Sequence, residues 1–196
     1  MSNKIRLRYN ISSWPQLNLN YWGIPKCGNT SVKYALLKKC NVTGNEDEIM
    51  QWVHNHAMSQ YIDIQAAKNN RHINFTVTRD PYERFLSMYS DILRRPKHFK
   101  LEKIETIDQF IDYLYSKPEE KHNLHFWTQT RFIAPHNVII PTCVIDVHRI
   151  SNGFMGLDIG KFNTTNNNYR LTQQQKERVF QFYKKDFKLL DYDSTF

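Results

Sequence analysis

Apolar and polar residues along this chain fall into two alternating periods, and the switches between them outline its elements. Leu19 to Ile24 is an apolar run that reads as a strand, and Ile73–Thr78 is a second one, rich in β-branched and aromatic residues. A third strand is predicted over 143–147. Helical spacing is predicted over 30–40, 57–69, 81–94, 107–117 (with Thr106 as cap) and 172–185, and a helical stretch near 119–132. The clearest case is 81–94, where Phe85, Leu86, Met88, Tyr89 and Ile92 make one apolar stripe. A polar linker separates 30–40 from 57–69, and Asn163–Tyr169 reads as a low-complexity loop. Strands alternating with helices predict an α/β fold, a parallel sheet flanked by helices on both faces. No repeat is visible, so residues 1–196 read as a single domain with a core over about 19–192.

The chemistry begins where the first strand ends. Ile24 runs into Pro25-Lys26-Cys27-Gly28, and a helix opens on Asn29-Thr30-Ser31. The first turn of a helix leaves backbone N–H groups unpaired and carries partial positive charge, so a strand, a tight turn and a helix N-terminus bind phosphate well. Gly28 permits close approach of an anion, Thr30 and Ser31 offer hydroxyls, and Lys26 supplies a full charge. The lysine precedes the glycine, which departs from the G-x-x-x-x-G-K-[ST] order of ATPases. Taken alone, this segment also fits an ordinary strand-to-helix turn with a surface lysine.

The second strand ends in Arg79-Asp80-Pro81-Tyr82-Glu83-Arg84-Phe85-Leu86-Ser87. Asp80 suits a helix N-cap and Pro81 the first helical turn. Arg79 then stands at the carboxyl end of a strand, where open parallel sheets place their ligands, with Ser87 two turns further on.

Pro25-Lys26-x-Gly28-x-Thr30-Ser31 resembles the 5′-phosphosulfate loop of sulfotransferases that use 3′-phosphoadenosine-5′-phosphosulfate (PAPS). Arg79 to Tyr89 is similar to their 3′-phosphate motif, in the form seen in Golgi-type carbohydrate sulfotransferases and their microbial relatives. His125-Phe-Trp-Thr-Gln129, and Asn163 to Tyr192 with Tyr183-x-x-Asp186-Phe187 inside it, resemble later family segments more weakly. The resemblance implies a P-loop NTPase-like sheet and PAPS as donor. It also implies a donor site of Lys26, Cys27, Gly28, Asn29, Thr30, Ser31, Arg79 and Ser87, with Arg170 closing over the 3′-phosphate. His54-Asn55-His56 is similar to the His-x-His segment of uronyl 2-O-sulfotransferases, which implies His56 as general base beside His54. Imidazole suits that work near neutral pH. A surface turn before the 57–69 helix is the plainer reading of the same histidines, and Glu48 is the nearest competing carboxylate. His125 reads as structural.

Composition narrows little further. A net charge of +8 implies an anionic partner, which PAPS, an anionic glycan or nucleic acid would satisfy equally. Arg94-Arg95-Pro-Lys97-His-Phe-Lys100 is the densest basic run and reads as a solvated loop. No RNP, KH or zinc-finger signature favours a nucleic-acid-binding module, and a P-loop-type kinase would need a Walker lysine and a magnesium carboxylate that the sequence does not show clearly. Cys27, Cys40 and Cys143 give no disulfide framework or zinc spacing, so no metal is expected, and Cys27 reads as a small packing residue. No 18-residue apolar run and no signal-peptide core are present. With Met1 in place, the expectation is a cytoplasmic protein of microbial or viral source, without membrane or nucleic-acid partners, acting on a glycan or another hydroxylated small molecule.

Overall fold

Two adjacent parallel strands lead into the two resembled motifs, and the other described elements pack around that pair. The computed structural model describes residues 10–55, 59–101, 103–134, 137–150, 153–159 and 168–194. Its strands are β1 (Ile11–Trp14), β2 (Leu19–Trp22), β3 (Gln60–Tyr61), β4 (Ile73–Thr78) and β5 (Cys143–Asp146). The helices are α1 (Asn29–Lys39), α2 (Glu46–Asn55), α3 (Ile64–Asn69), α4 (Pro81–Arg94), α5 (Pro96–Phe99), α6 (Ile107–Tyr115), α7 (Gln129–Ile133) and α8 (Gln173–Leu190). The sheet order is β3-β1-β2-β4-β5. β2, β4 and β5 run parallel, whereas β1 pairs antiparallel with β2, and β3 pairs antiparallel with β1 at the edge.

Side chains alternate across the sheet as its period of two requires. Tyr21, Phe75 and Val77 face α1 and α2, joining Val32, Leu36, Ile49 and Val53 in one core. Trp22 points the other way, with Ile11, Ile24 and Cys27 packed beside Ala67 and Ile133. A further aromatic cluster binds α4, α6 and α8 through Phe85, Tyr89, Phe110, Tyr183 and Phe187. Register between β2 and β4 is reinforced by Asn74, whose Oδ1 accepts from Asn20 Nδ2 at 3.2 Å and from Trp22 Nε1 at 2.9 Å.

Several expected elements differ from those observed. β1 was not anticipated, because Ser12 and Ser13 interrupt its apolar run; both are buried, Ser12 donating to the Tyr21 carbonyl. The expected polar linker contains α2, opened by a reciprocal cap in which Glu48 N–H donates to Asn45 Oδ1 and Asn45 N–H to Glu48 Oε2. The expected helix 57–69 is a correction: among its described residues only 64–69 are helical, capped by Asp63, while Gln60–Tyr61 pair with β1. The stretch 119–132 forms two 3₁₀ turns and α7 rather than one helix. α8 continues to Leu190, past the expected end at 185, because Val179, Tyr183 and Phe187 keep one buried stripe going.

Candidate functional site

The loop after β2 and the start of α4 meet above the carboxyl ends of β2 and β4. Gly28 is the N-cap of α1, with φ at +70° and no side-chain cap over the first turn. The first turn of α1 thus starts from a left-handed turn that favours glycine, with Asn29, Thr30 and Ser31 as its first residues. A Cβ on Gly28 would also lie 3.2 Å from Val147 Cγ2, in the turn after β5. Lys26 is likewise left-handed, with φ at +69°. Gly23, where β2 ends, leaves room for Asn29: a Cβ there would stand 2.7 Å from Asn29 Oδ1.

α4 starts as its sequence dictates, with Asp80 Oδ1 accepting from Glu83 N–H at 2.9 Å and Pro81 in the first turn. Positions four apart share a helix face, so Glu83, Ser87 and Asp91 form one row along α4. Both motif cations reach that row. Arg79 Nε donates to Glu83 Oε2 at 3.1 Å, and Lys26 Nζ donates to Asp91 Oδ2 at 3.0 Å. Ser87 is buried between those contacts.

Asp91 is 2% exposed and also takes Arg94 at 2.8 Å and Arg95 at 2.5 Å. Burial opposes its ionisation, but the hydrogen bonds from Arg95 and Arg94 and the Lys26 ammonium outweigh burial and hold the carboxyl well below the usual range. Burial pulls Lys26 down more than Asp91 raises it.

Gln129 ties the two motifs together. Its Oε1 accepts from Arg79 N–H at 2.9 Å and from the Cys27 thiol at 3.2 Å, and its Nε2 donates to the Arg79 carbonyl at 2.7 Å. The side chain is fully buried. Asp186 of α8 holds it in turn, accepting from the N–H groups of Gln129 at 2.7 Å and Thr130 at 2.8 Å. Burial pushes the Cys27 thiol up to about 12, so Cys27 is a neutral packing residue with its side chain turned inward.

Arg84, five residues after Arg79, holds the loop after β2 in place. It is 1% exposed. Its Nε donates to the Pro25 carbonyl at 3.0 Å and its Nη2 to the His125 carbonyl at 3.2 Å. Helix α4 thus fixes the loop after β2 through a buried guanidinium. His125 Nδ1 is 2.7 Å from Asn123 Oδ1, and burial, then the Lys26 charge, lower the imidazole to about 4.

Of the remaining expected residues, Arg170 is exposed and follows Tyr169, whose ring stands edge-on to Tyr89 with centroids 5.1 Å apart. In His54-Asn55-His56, the first two residues close α2, and His56 lies outside the described residues. Glu48 is an exposed cap. His148, Glu83 and Asp91 were not singled out from sequence. The available signal was position: His148 follows the end of a strand, and Glu83 and Asp91 are spaced four and eight residues from Ser87 and Glu83.

The model of the Sulfotransferase family matches residues 10–150, so the chain belongs to that family. The matched span contains both phosphate motifs and all the strands. No curated protein and no solved structure gives a significant match. Among the described residues, no helix is long and apolar enough to cross a membrane, and no group of His, Cys, Asp and Glu is arranged to hold a metal.

Proposed function

We propose that this sulfotransferase takes its sulfuryl group from PAPS and delivers it to an acceptor hydroxyl, on a carbohydrate, by in-line displacement. The observation that carries the donor assignment is the double hydrogen bonding of Gln129. It fixes a cation-bearing loop and a cation-bearing helix start at neighbouring strand ends, with β5 beyond them. Adjacent strands lie about 5 Å apart, so β2 to β5 spans about 10 Å, the scale of a nucleotide bearing phosphate at both ends. The open first turn of α1, with Lys26, Gly28, Asn29, Thr30 and Ser31, takes the 5′-phosphosulfate. Arg79 and Ser87 take the 3′-phosphate, joined by Arg170.

Sulfuryl transfer resembles phosphoryl transfer in relying on positioning and electrostatics. Lys26 stabilises the oxygen that leaves sulfur, so its loss lowers donor affinity and turnover together. His56 accepts the proton of the attacking hydroxyl, with His54 beside it. The likeness of this segment to uronyl 2-O-sulfotransferases supports both the base and a carbohydrate acceptor, and the capping role of Glu48 argues against that carboxylate. His56→Ala should leave binding of adenosine 3′,5′-bisphosphate (PAP) intact and cost about 10²–10⁴ in rate. Turnover of PAPS by that variant within a few-fold of the parent would remove His56 from the mechanism. Calorimetry tests the donor: PAP should bind at least about tenfold more tightly than AMP, since each charge-assisted bond to the 3′-phosphate is worth about 1.5–3 kcal/mol. Equal affinity would end the reading.

A further inference from the structure

The turn after β5 approaches both phosphate motifs. Val147 lies against Gly28, and His148 reaches α4. His148 Nε2 is 2.7 Å from Glu83 Oε2, the same oxygen that accepts from Arg79 Nε at 3.1 Å. Two donors from separate strand ends thus converge on one carboxylate oxygen. His148 is held from behind, its backbone N–H donating to Asp146 Oδ1 at 2.8 Å. Asp146 is itself fixed, its Oδ2 accepting from the Tyr192 hydroxyl at 2.8 Å.

Such convergence has a chemical meaning at this position. A guanidinium and an imidazole that share a single anionic oxygen are spaced to share a phosphate oxygen in its place. The carboxylate is the weak partner. The side chains of Arg79, Glu83 and His148 are 27%, 42% and 62% exposed, so the contacts are screened by water and a doubly charged phosphate outcompetes them. Glu83 also has freedom to leave, because its helix position is secured by its backbone N–H on Asp80 rather than by its side chain.

We infer that His148 is a binding residue of the 3′-phosphate subsite, and that the Glu83 carboxylate is an internal stand-in for the phosphate oxygen there. The inference rests on the reading that the donor carries a 3′-phosphate. It adds a residue beyond the resembled motif and explains why an acidic side chain stands inside an anion site. On binding, Arg79 and His148 exchange Glu83 for the ligand, and Glu83 moves into solvent.

Titration of the full chain with PAP and with AMP, at one pH and salt concentration, separates the possibilities. The parent should prefer PAP. His148→Ala should weaken PAP at least about fivefold and leave AMP unchanged, the loss of one charge-assisted contact at a partly exposed site. Glu83→Gln removes the competing charge and should tighten PAP a few-fold. His148 is exposed, so the variant should fold, and matched melting curves verify that. Unchanged PAP affinity in His148→Ala, with Arg79→Ala still impaired, would overturn the role of His148 alone. Weakening of PAP by Glu83→Gln to the extent seen in Arg79→Ala would overturn the stand-in and make Glu83 a positioning residue. A parent that binds PAP and AMP equally fails earlier, at the donor assignment itself.

Discussion

The two ends of the row along α4 do the same job in opposite ways. At Glu83 the carboxylate is 42% exposed, and it holds an arginine and a histidine that are themselves wet. At Asp91 the carboxylate is 2% exposed and clamped by Lys26, Arg94 and Arg95. An exposed ion pair is worth about 0–1 kcal/mol, whereas removing one partner from a buried one costs about 3–5 kcal/mol. On the proposed donor reading, an incoming phosphate should therefore displace Glu83 and leave Asp91 in place. Lys26 need not leave its partner either. An ammonium has more than one N–H to give, so Lys26 could keep Asp91 and still turn toward the proposed phosphosulfate. On that reading the Arg79 end would exchange partners, and the Lys26 end would keep them.

The largest test of this contrast sets one arginine against another. Arg84 is buried with its guanidinium on the Pro25 and His125 carbonyls and near Asp186. Arg84→Ala should cost about 3–4 kcal/mol of stability, the scale of uncompensated buried polar groups and charge. PAP affinity should then fall as well, because the loop after β2 loses its tether. Arg79→Ala should behave in the opposite way, with stability within about 0.5 kcal/mol of the parent and PAP weakened at least about tenfold. Denaturant melts beside calorimetry on both variants make the comparison. An Arg84 variant as stable as the parent would show that the loop does not depend on α4.

A second test uses the closed end directly. Asp91→Asn should destabilise by about 2–3 kcal/mol, somewhat less than a fully buried pair because Arg94 and Arg95 are half in solvent. Acid titration reads the same cluster with a fixed sign. A depressed carboxyl adds stability that is present above its unfolded value, near 4, and is lost as pH falls through its folded one. His125 acts earlier. Its folded value of about 4 lies below the ordinary 6.5, so the unfolded chain binds the proton first, and stability falls as pH drops from about 6.5 toward 4. The loss from His125 should be at most about 3 kcal/mol. Melting temperatures of His125→Gln against the parent should converge at low pH; parallel curves would show that His125 titrates as in the unfolded chain.

Much of this contrast was hidden in the sequence for physical reasons. The strand over 73–78 and the helix over 81–94 were legible to the residue, because β-branched alternation, an Asp cap and a proline all agree there. The family was legible through the motifs from Lys26 to Ser31 and Arg79 to Ser87, which lie within the matched span. Asp91 was not: an aspartate followed by two arginines reads as solvated surface until the fold brings Lys26 across 65 positions to bury it. His148 carried only its place after a strand. Gln129 lay inside a resembled segment, yet its bridging depends on α7 being presented by Asp186 from the last helix, a long-range contact that no local pattern encodes. The missed β1 and the wrong 57–69 helix share a cause, since buried serines and a two-residue edge strand carry too little periodicity.

The smallest expected effect sharpens the comparison at the turn between the two ends. Gly28 sits at φ +70°, and its Cβ position is 3.2 Å from Val147. A non-glycine residue in the left-handed region costs about 1–2 kcal/mol. Gly28→Ala should therefore lower stability by about 1 kcal/mol or slightly more, with Val147 giving by a few tenths of an ångström. Its affinity effect should be selective in the reverse sense to Arg79→Ala. Both PAP and AMP carry the 5′-phosphate that approaches this turn, so both should weaken together, whereas Arg79→Ala should weaken PAP alone. If Gly28→Ala instead changed the ratio of PAP to AMP affinity, the two ends would not act independently. Val147 and His148 would then transmit strain from one phosphate site to the other through the turn after β5.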